Sequence, residues 1–156
     1  MTGEATATWH DFATANPQLA AFGANRLVGR VAYLATAGVG GAPRLHPVTA
    51  HIIAGGCFVY MEPASPKVRD LRHDGRYALH CSVEDTSGGG GEFSIRGRAI
   101  LIEDLKKRAA VFETAKAQGS NPKDRYVLFA LRIETALSTT YIDGVPRREI
   151  WKAFSL

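Results

Sequence analysis

The stretch Glu62–Ser82, with the sequence EPASPKVRDLRHDGRYALHCS, holds a short helix whose first turn carries a lysine. Ser65 is a good N-cap and Pro66 suits the first helical position, so we predict a helix that ends near His73. Lys67 then lies beside the free N–H groups and the positive end of the helix dipole, where a cation is disfavoured. A phosphate bound there would remove this conflict and create a binding site. A solvated lysine would cost little, so both explanations stay open on these residues alone.

Strand-like patterns surround this helix. Before it lie three β-branched or aromatic runs with glycine-containing turns: RVAYLATA, PRLHPVTAHIIA and CFVYME. After it lie RYALHCSV, EFSIRGRAILI, one long helix in EDLKKRAAVFETAKAQG, and the C-terminal runs YVLFALRIE, ALSTTYID and REIWKAF. Six or seven short antiparallel strands with few helices predict a mainly β fold, a small β-barrel with added helices. We expect one domain over residues 1–156, with two short helices, broken at Pro17, as a lead-in over residues 1–26.

The composition is that of an ordinary globular protein. The chain has 156 residues, 46% of them apolar and 22% charged, with a formal net charge of +4. Its basic residues are spread along the chain, so we expect no nucleic-acid partner. The sequence has no basic-then-apolar leader and no apolar window that could cross a bilayer, which predicts a soluble protein without a membrane partner. Cys57 and Cys81 lie in apolar runs and are expected to be buried free thiols, which fits a reducing cytoplasm.

The run PRLHPVTAH puts different side chains on its two faces, because strand residues alternate. One face carries Arg44, His46 and Val48, and the other carries Leu45, Pro47 and Thr49. Pro47 cannot donate a hydrogen bond to a ladder, which favours an edge strand or a bulge. The backbone near Pro47 would then be free to contact a ligand. An edge strand protected against aggregation explains the proline equally well.

Four of these runs together resemble a known family. GAPRLHPV, CFVYM, SPKVRDLRHDGRYALHCS and EFSIRGRA are similar to the FMN-binding split β-barrel of the pyridoxamine 5'-phosphate oxidase family, most of all to its small actinobacterial-type members. The resemblance covers roughly Leu27–Ile102, with a weaker echo in REIWKAF. It implies a homodimer with FMN at the subunit interface. It also implies a flavin-dependent oxidoreductase that transfers hydride to or from a small substrate, which the sequence does not identify.

The resemblance implies which residues would contact FMN. Lys67, Ser65 and Arg44 would hold the phosphate. The flavin ring would lie along His46, Pro47, Val48 and Thr49, with Tyr60 and Met61 beneath it and Trp151 from the second subunit over it. Two departures from the family pattern argue against pyridoxamine phosphate as the substrate: Pro66 stands where the oxidase has a basic residue, and the oxidase's C-terminal arginine and histidine motif is missing. We expect no side chain to act as a catalytic residue, because the flavin would carry the chemistry.

Two alternatives share this fold. A deazaflavin coenzyme would put its phosphate at the same lysine and its acidic tail near Arg69, Arg72 or Arg98. A non-catalytic protein that binds flavin or haem for storage or sensing is the second alternative, with His46 as the candidate iron ligand. The sequence shows no metal-ligand spacing such as HExxH and no supported Ser-His-Asp arrangement, so we expect no metal-ion site.

Overall fold

Antiparallel strands form the largest regular part of the structure. The computed structural model describes residues 4–154. Within this range there are eight strands: β1 Ala32–Ala37, β2 Pro43–Val48, β3 His51–Ile53, β4 Gly56–Met61, β5 Arg76–Cys81, β6 Glu92–Leu101, β7 Val127–Ile142 and β8 Val145–Lys152. The same range holds four α-helices: α1 Trp9–Ala15, α2 Pro17–Leu27, α3 Pro66–His73 and α4 Leu105–Ala117.

The sheet is an open path whose two ends are β2 and β3. The strand order is β2-β1-β5-β6-β7-β4-β3, with β8 added beside β7, and every pairing is antiparallel. Over residues 4–154, β2 pairs only with β1 and β3 pairs only with β4, so the barrel is not closed between them. This arrangement confirms the predicted mainly β fold with a split barrel and added helices.

Two strand boundaries differ from the sequence pattern. The run PRLHPVTAHIIA, predicted as one strand, forms β2 and β3, because Thr49 and Ala50 leave the ladder between them. The runs YVLFALRIE and ALSTTYID, predicted as two strands, form the single strand β7, because Thr135 stays paired with Arg96 on one side and Lys152 on the other. The edge position of β2 confirms the prediction made from Pro47.

The N-terminal helices cover the core as a lead-in. α1 ends before Asn16 and α2 starts at Pro17, so the break lies where the proline predicts it. Trp9 and Phe12 of α1 are buried and lie with ring centroids 6.1 and 6.4 Å from the ring of Phe93 in β6. The helices thus close one side of the apolar core.

Gly97 is required by a close approach between β6 and β7. The register of the two strands shifts between Arg96 and Gly97, which marks a bulge. A Cβ atom on Gly97 would lie 2.0 Å from the carbonyl oxygen of Arg132. A larger residue therefore fits only if the backbone moves.

The alternation of β5 identifies the core face. Leu79 and Cys81 are buried, while His80 between them is exposed. Cys57 is buried as well, and both cysteines are free thiols, as predicted. None of the helices among residues 4–154 combines the length and apolar character needed to cross a membrane.

Candidate functional site

A cavity of about 590 Å³ lies at the split in the sheet. Its walls come from the end of β2, from β3 and β4, from the first turn of α3 and from the segment after α4. Seven of the predicted cofactor contacts line it: Pro47, Val48, Thr49, Tyr60, Met61, Ser65 and Lys67. Its lining also includes residues that the sequence did not indicate: Val31, His51, Glu62, Ser120 and Tyr126.

The first turn of α3 leaves hydrogen-bond donors available at the cavity. Ser65 occupies the N-cap position, as predicted, but its hydroxyl makes no capping hydrogen bond. The N–H of Ser65 donates to the carbonyl of Glu62, and the N–H of Val68 donates to the carbonyl of Ser65, each at 3.0 Å. Pro66 has no N–H. In the described part of the chain the N–H of Lys67 has no partner, so this N–H and the Ser65 hydroxyl can both donate to a ligand.

Lys67 is a half-buried cation at the cavity. Among residues 4–154 its Nζ forms no ion pair. Two other cations in this region are paired, Arg44 with Asp70 and Arg125 with Glu62. An anion at the start of α3 would remove the unfavourable interaction of Lys67 with the helix dipole.

His51, Tyr60 and Tyr126 form an aromatic wall on the cavity. The rings of His51 and Tyr60 stack with centroids 4.8 Å apart and planes at 13°, and those of Tyr60 and Tyr126 stack at 5.8 Å and 19°. His51 pairs with Phe58 across β3 and β4, so Tyr60 is its diagonal neighbour on one face. Burial lowers the pKa of His51, which keeps this ring neutral at pH 7.

Arg44 and His46 do not line the cavity but belong to a hydrogen-bonded group beside it. Its centre is Asp70 of α3, which is 1% exposed. Oδ2 of Asp70 accepts a hydrogen bond from the Thr36 hydroxyl at 2.8 Å and lies 3.1 Å from Nε of Arg44. The Thr36 oxygen also lies 3.1 Å from Nε2 of His46. We call Asp70, Thr36, Arg44 and His46 the Asp70 network.

Charges around the Asp70 network act on His46. Burial lowers the pKa of His46, the positive charges of Lys67 and Arg44 lower it further, and Asp70 opposes the change. His46 is therefore a neutral imidazole at pH 7, although it lies among charged side chains. Asp70 follows Lys67 by three residues on α3, so the Asp70 network lies one helical turn from the lysine.

Trp151 does not line the cavity of its own chain. This residue of β8 is half-buried, pairs with Ala136 of β7 and packs against Phe12 with ring centroids 5.0 Å apart. Its proposed contact with the flavin of a second subunit stays a prediction.

The cavity combines features that suit a flat ligand with an anionic group. One part offers the ammonium, N–H and hydroxyl donors of α3, and another offers the aromatic wall. Among the described strands β2 has a partner on one side only, so its outward edge is open to a ligand. No group of three histidine, cysteine, aspartate or glutamate side chains in the described residues is placed to hold a metal ion.

No model of a known protein family matches the chain, and no curated protein matches it. Solved structures do match. A haem-binding protein from Mycobacterium smegmatis matches with a TM-score of 0.62 and 22% identity over 85% of this chain. The chain spans 57% of the length of that protein.

Two further solved structures have a similar fold. PhzG from Burkholderia lata, solved with tetrahydrophenazine-1-carboxylic acid, matches with a TM-score of 0.64 and 17% identity over 93% of this chain and 87% of its own. A protein of the pyridoxinephosphate oxidase family from Clostridium acetobutylicum matches with a TM-score of 0.60 and 13% identity over 92% of this chain and 95% of its own. These likenesses confirm the predicted resemblance at the level of the fold, a pyridoxamine 5'-phosphate oxidase-like split barrel.

Proposed function

We propose that the cavity binds FMN and that the protein is a flavin-dependent oxidoreductase acting on a small substrate. The observation that carries this proposal is the first turn of α3. There the half-buried Lys67, without a carboxylate partner in the described chain, lies next to the uncapped hydroxyl of Ser65 at a cavity with an aromatic wall. A phosphate can accept hydrogen bonds from all of these donors and also compensates the charge of Lys67.

The residues present fit FMN. The cavity volume of about 590 Å³ lies within the range of about 300–1,000 Å³ that is usual for cofactor pockets. Lys67 and Ser65 would hold the phosphate, with Arg44 next to them. The flavin ring would lie along residues 46–49 and against Tyr60 and Met61. When bound, the flavin would supply hydride transfer, and the chain would hold it in place and limit its access to water.

We also propose a cytoplasmic homodimer in which Trp151 contacts the flavin of the second subunit. The family resemblance supports this arrangement, and the exposed apolar side chains of the outer strands agree with it. Leu45 on β2 is 68% exposed and Ile150 on β8 is 58% exposed. Both side chains are accessible to a second subunit.

A deazaflavin coenzyme is the nearer alternative. It would use the same donors of α3 for its phosphate. Arg69 and Arg72 lie on α3, are exposed, and form no ion pair within residues 4–154, so they could contact an acidic tail. Arg98 is less suited, because Glu134 lies 3.8 Å from its Nε.

Haem binding without catalysis is the second alternative. One structurally similar protein, from Mycobacterium smegmatis, binds haem. His46 is the candidate iron ligand, since its Nε2 contacts Thr36 and a hydrogen bond at one ring nitrogen commonly orients the other toward a metal.

Parallel titrations separate these functions. The purified protein is titrated with FMN, riboflavin, the deazaflavin coenzyme and haem, followed by absorbance and flavin fluorescence. We expect tight binding of FMN and much weaker binding of riboflavin, which has no phosphate. If the protein binds the deazaflavin or haem more tightly than FMN, that ligand is its cofactor and the FMN proposal is wrong. Turnover of the flavin-bound protein with NADH or NADPH and a small oxidant then distinguishes an enzyme from a sensor.

A further inference from the structure

A second cavity of about 220 Å³ adjoins the cavity described above. Thr49, His51 and Ser120 line both cavities, so the two spaces meet at these side chains. The other residues that line the second cavity include Val28, Ile52 and Gln118. We call the second cavity the side chamber. It adjoins the proposed position of the flavin ring, because Thr49 belongs to the segment along which the ring would lie.

The lining of the side chamber carries no formal charge. None of the described residues that line it is an arginine, lysine, aspartate or glutamate. Its polar side chains are Thr49, His51, Gln118 and Ser120. Burial keeps the imidazole of His51 neutral, because it lowers the pKa of this ring. Since a charged group is costly to remove from water without a partner, this lining favours an uncharged ligand.

His51 is the most buried of these polar groups, and its ring has no hydrogen-bond partner within the protein. The residue is 8% exposed. In the described part of the chain the histidine rings that form hydrogen bonds are those of His46 and His80, and the ring of His51 forms none. Neither of its nitrogens is fully buried, so both are accessible to a ligand. Its stack on Tyr60, with centroids 4.8 Å apart, holds the ring in place.

The end of α4 adds two more neutral groups with free side chains. The backbone N–H groups of Gln118 and Ser120 donate to the carbonyl of Ala115 at 3.1 and 3.0 Å, and these bonds fix both residues beside the chamber. Among residues 4–154 the side chains of Gln118, Ser120 and Thr49 form no hydrogen bond. An amide, a hydroxyl and a neutral imidazole can each donate and accept. A ligand with an amide or carbonyl group matches such a set.

We infer that the side chamber binds the substrate through an uncharged amide or carbonyl group, and that His51 contacts this group. The inference rests on the proposed function, because it takes the flavin to occupy the adjoining cavity. The two parts of the site then bind different chemical groups: the start of α3 binds an anion, and the side chamber binds a neutral polar group. The substrate is accordingly an uncharged organic molecule and not a carboxylic acid or a phosphate ester.

The direct test compares benzamide with benzoate, which have nearly the same shape and differ in charge. Binding to the purified protein without added FMN is followed by NMR, through the ring signals of His51 and the backbone signal of Ile52. We expect benzamide to shift these signals and to bind there at least about tenfold more tightly than benzoate. The comparison is repeated in Lys67→Ala, because the ammonium group of Lys67 attracts benzoate to the first cavity.

Two substitutions of His51 separate ligand binding from stacking. His51→Phe keeps an aromatic ring against Tyr60 and removes both nitrogens, so it should weaken benzamide binding about 2- to 12-fold, the range for one neutral hydrogen bond. His51→Gln keeps a donor and an acceptor without the ring, and it should bind benzamide more tightly than His51→Phe does. If His51 only supported the stack, this order would be reversed. His73→Phe, at an exposed position outside both cavities, is the matched control and should bind as wild type does.

Circular dichroism checks that each variant folds. The inference is overturned if benzoate binds at His51 as tightly as benzamide, or if His51→Phe binds benzamide as wild type does. FMN binding without any response of His51 and Ile52 to benzamide would leave the proposed function intact and overturn the inference. If benzamide binds at His51 but FMN does not bind, the proposed function fails and the assignment of a neutral polar ligand to the side chamber stands.

Discussion

Replacement of Lys67 by alanine tests the phosphate site most simply. Lys67 is half-buried, lies at the cavity and has no carboxylate partner in the described residues, so its ammonium group is free to bind an anion. A hydrogen bond between charged groups contributes about 1.5–3 kcal/mol. Since about 1.4 kcal/mol corresponds to a factor of ten, Lys67→Ala should weaken FMN binding about 10- to 150-fold. Riboflavin binding should change less than about twofold, because the lost contact involves only the phosphate.

The same substitution should leave folding intact. Lys67 lies near the positive end of α3, so its removal should stabilise the protein by about 0.3 kcal/mol or have no effect. Lys106 provides a matched control, because it is the second residue of α4 as Lys67 is of α3, and it is exposed outside the cavity. Lys106→Ala should retain wild-type affinity for FMN.

The assay is a titration that follows quenching of flavin fluorescence. All variants are compared at one ionic strength, because salt screens the attraction between lysine and phosphate. Equal losses of FMN and riboflavin affinity in Lys67→Ala would refute the assignment of Lys67 to the phosphate. A loss of the same size in Lys106→Ala would show that the effect is one of overall charge.

Three further predictions concern stability, each measured by urea unfolding. Asp70→Ala removes a buried carboxylate that binds Thr36 and Arg44 and should lower the free energy of unfolding by about 2 kcal/mol. The control Asp74→Ala removes a more exposed ion pair and should lower it by less than about 1 kcal/mol. Equal losses in the two variants would contradict a stabilising role of the buried Asp70. Hydrogen bonding to Cys81 raises the pKa of His80 to about 9, so the stabilising effect of the charged ring is complete below pH 6.5 and lost as the pH rises through 9. His80→Asn should therefore lower the free energy of unfolding by less than about 1 kcal/mol at pH 6, because the side chain is half-exposed, and leave it unchanged at pH 10. A loss that does not depend on pH would contradict the stabilising role of the charged ring. Gly97→Ala should cost about 2–4 kcal/mol, because the new methyl group would meet a backbone carbonyl, and a loss below about 1 kcal/mol would show that the bulge can adjust.

Local signals in the sequence predicted the helix that carries the site. The serine and proline at its start and Gly75 just after its end act within a few positions of the helix, so α3 has the predicted bounds. The unfavourable position of Lys67 beside the positive end of the helix dipole was predictable for the same reason, because it depends only on neighbouring residues. The edge position of β2 followed from Pro47, which cannot donate to a ladder.

Features that depend on distant pairing were not predictable in this way. β2 and β3 adjoin in sequence yet lie at the two ends of the sheet path. Each pairs with its sequence neighbour, β1 or β4, and those two strands are separated because they pair with the distant strands β5 and β7. Tyr126 belongs to the aromatic wall although it is distant in sequence from His51 and Tyr60. The hydrogen bond between Thr36 and Asp70 likewise joins residues of β1 and α3 that are distant in sequence. The aromatic wall has one local signal in the sequence. Phe58 and Tyr60 are two positions apart on β4 and share a face, and Phe58 is the residue that pairs with His51.

The central claim is that a phosphate-bearing flavin lies in the cavity with its phosphate at the start of α3. The most direct measurement is a crystal structure of the protein grown with FMN. We expect phosphate oxygens about 2.7–3.0 Å from Nζ of Lys67 and the hydroxyl of Ser65, with the flavin ring along residues 46–49. FMN bound with its phosphate away from Lys67, or bound outside this cavity, would contradict the account.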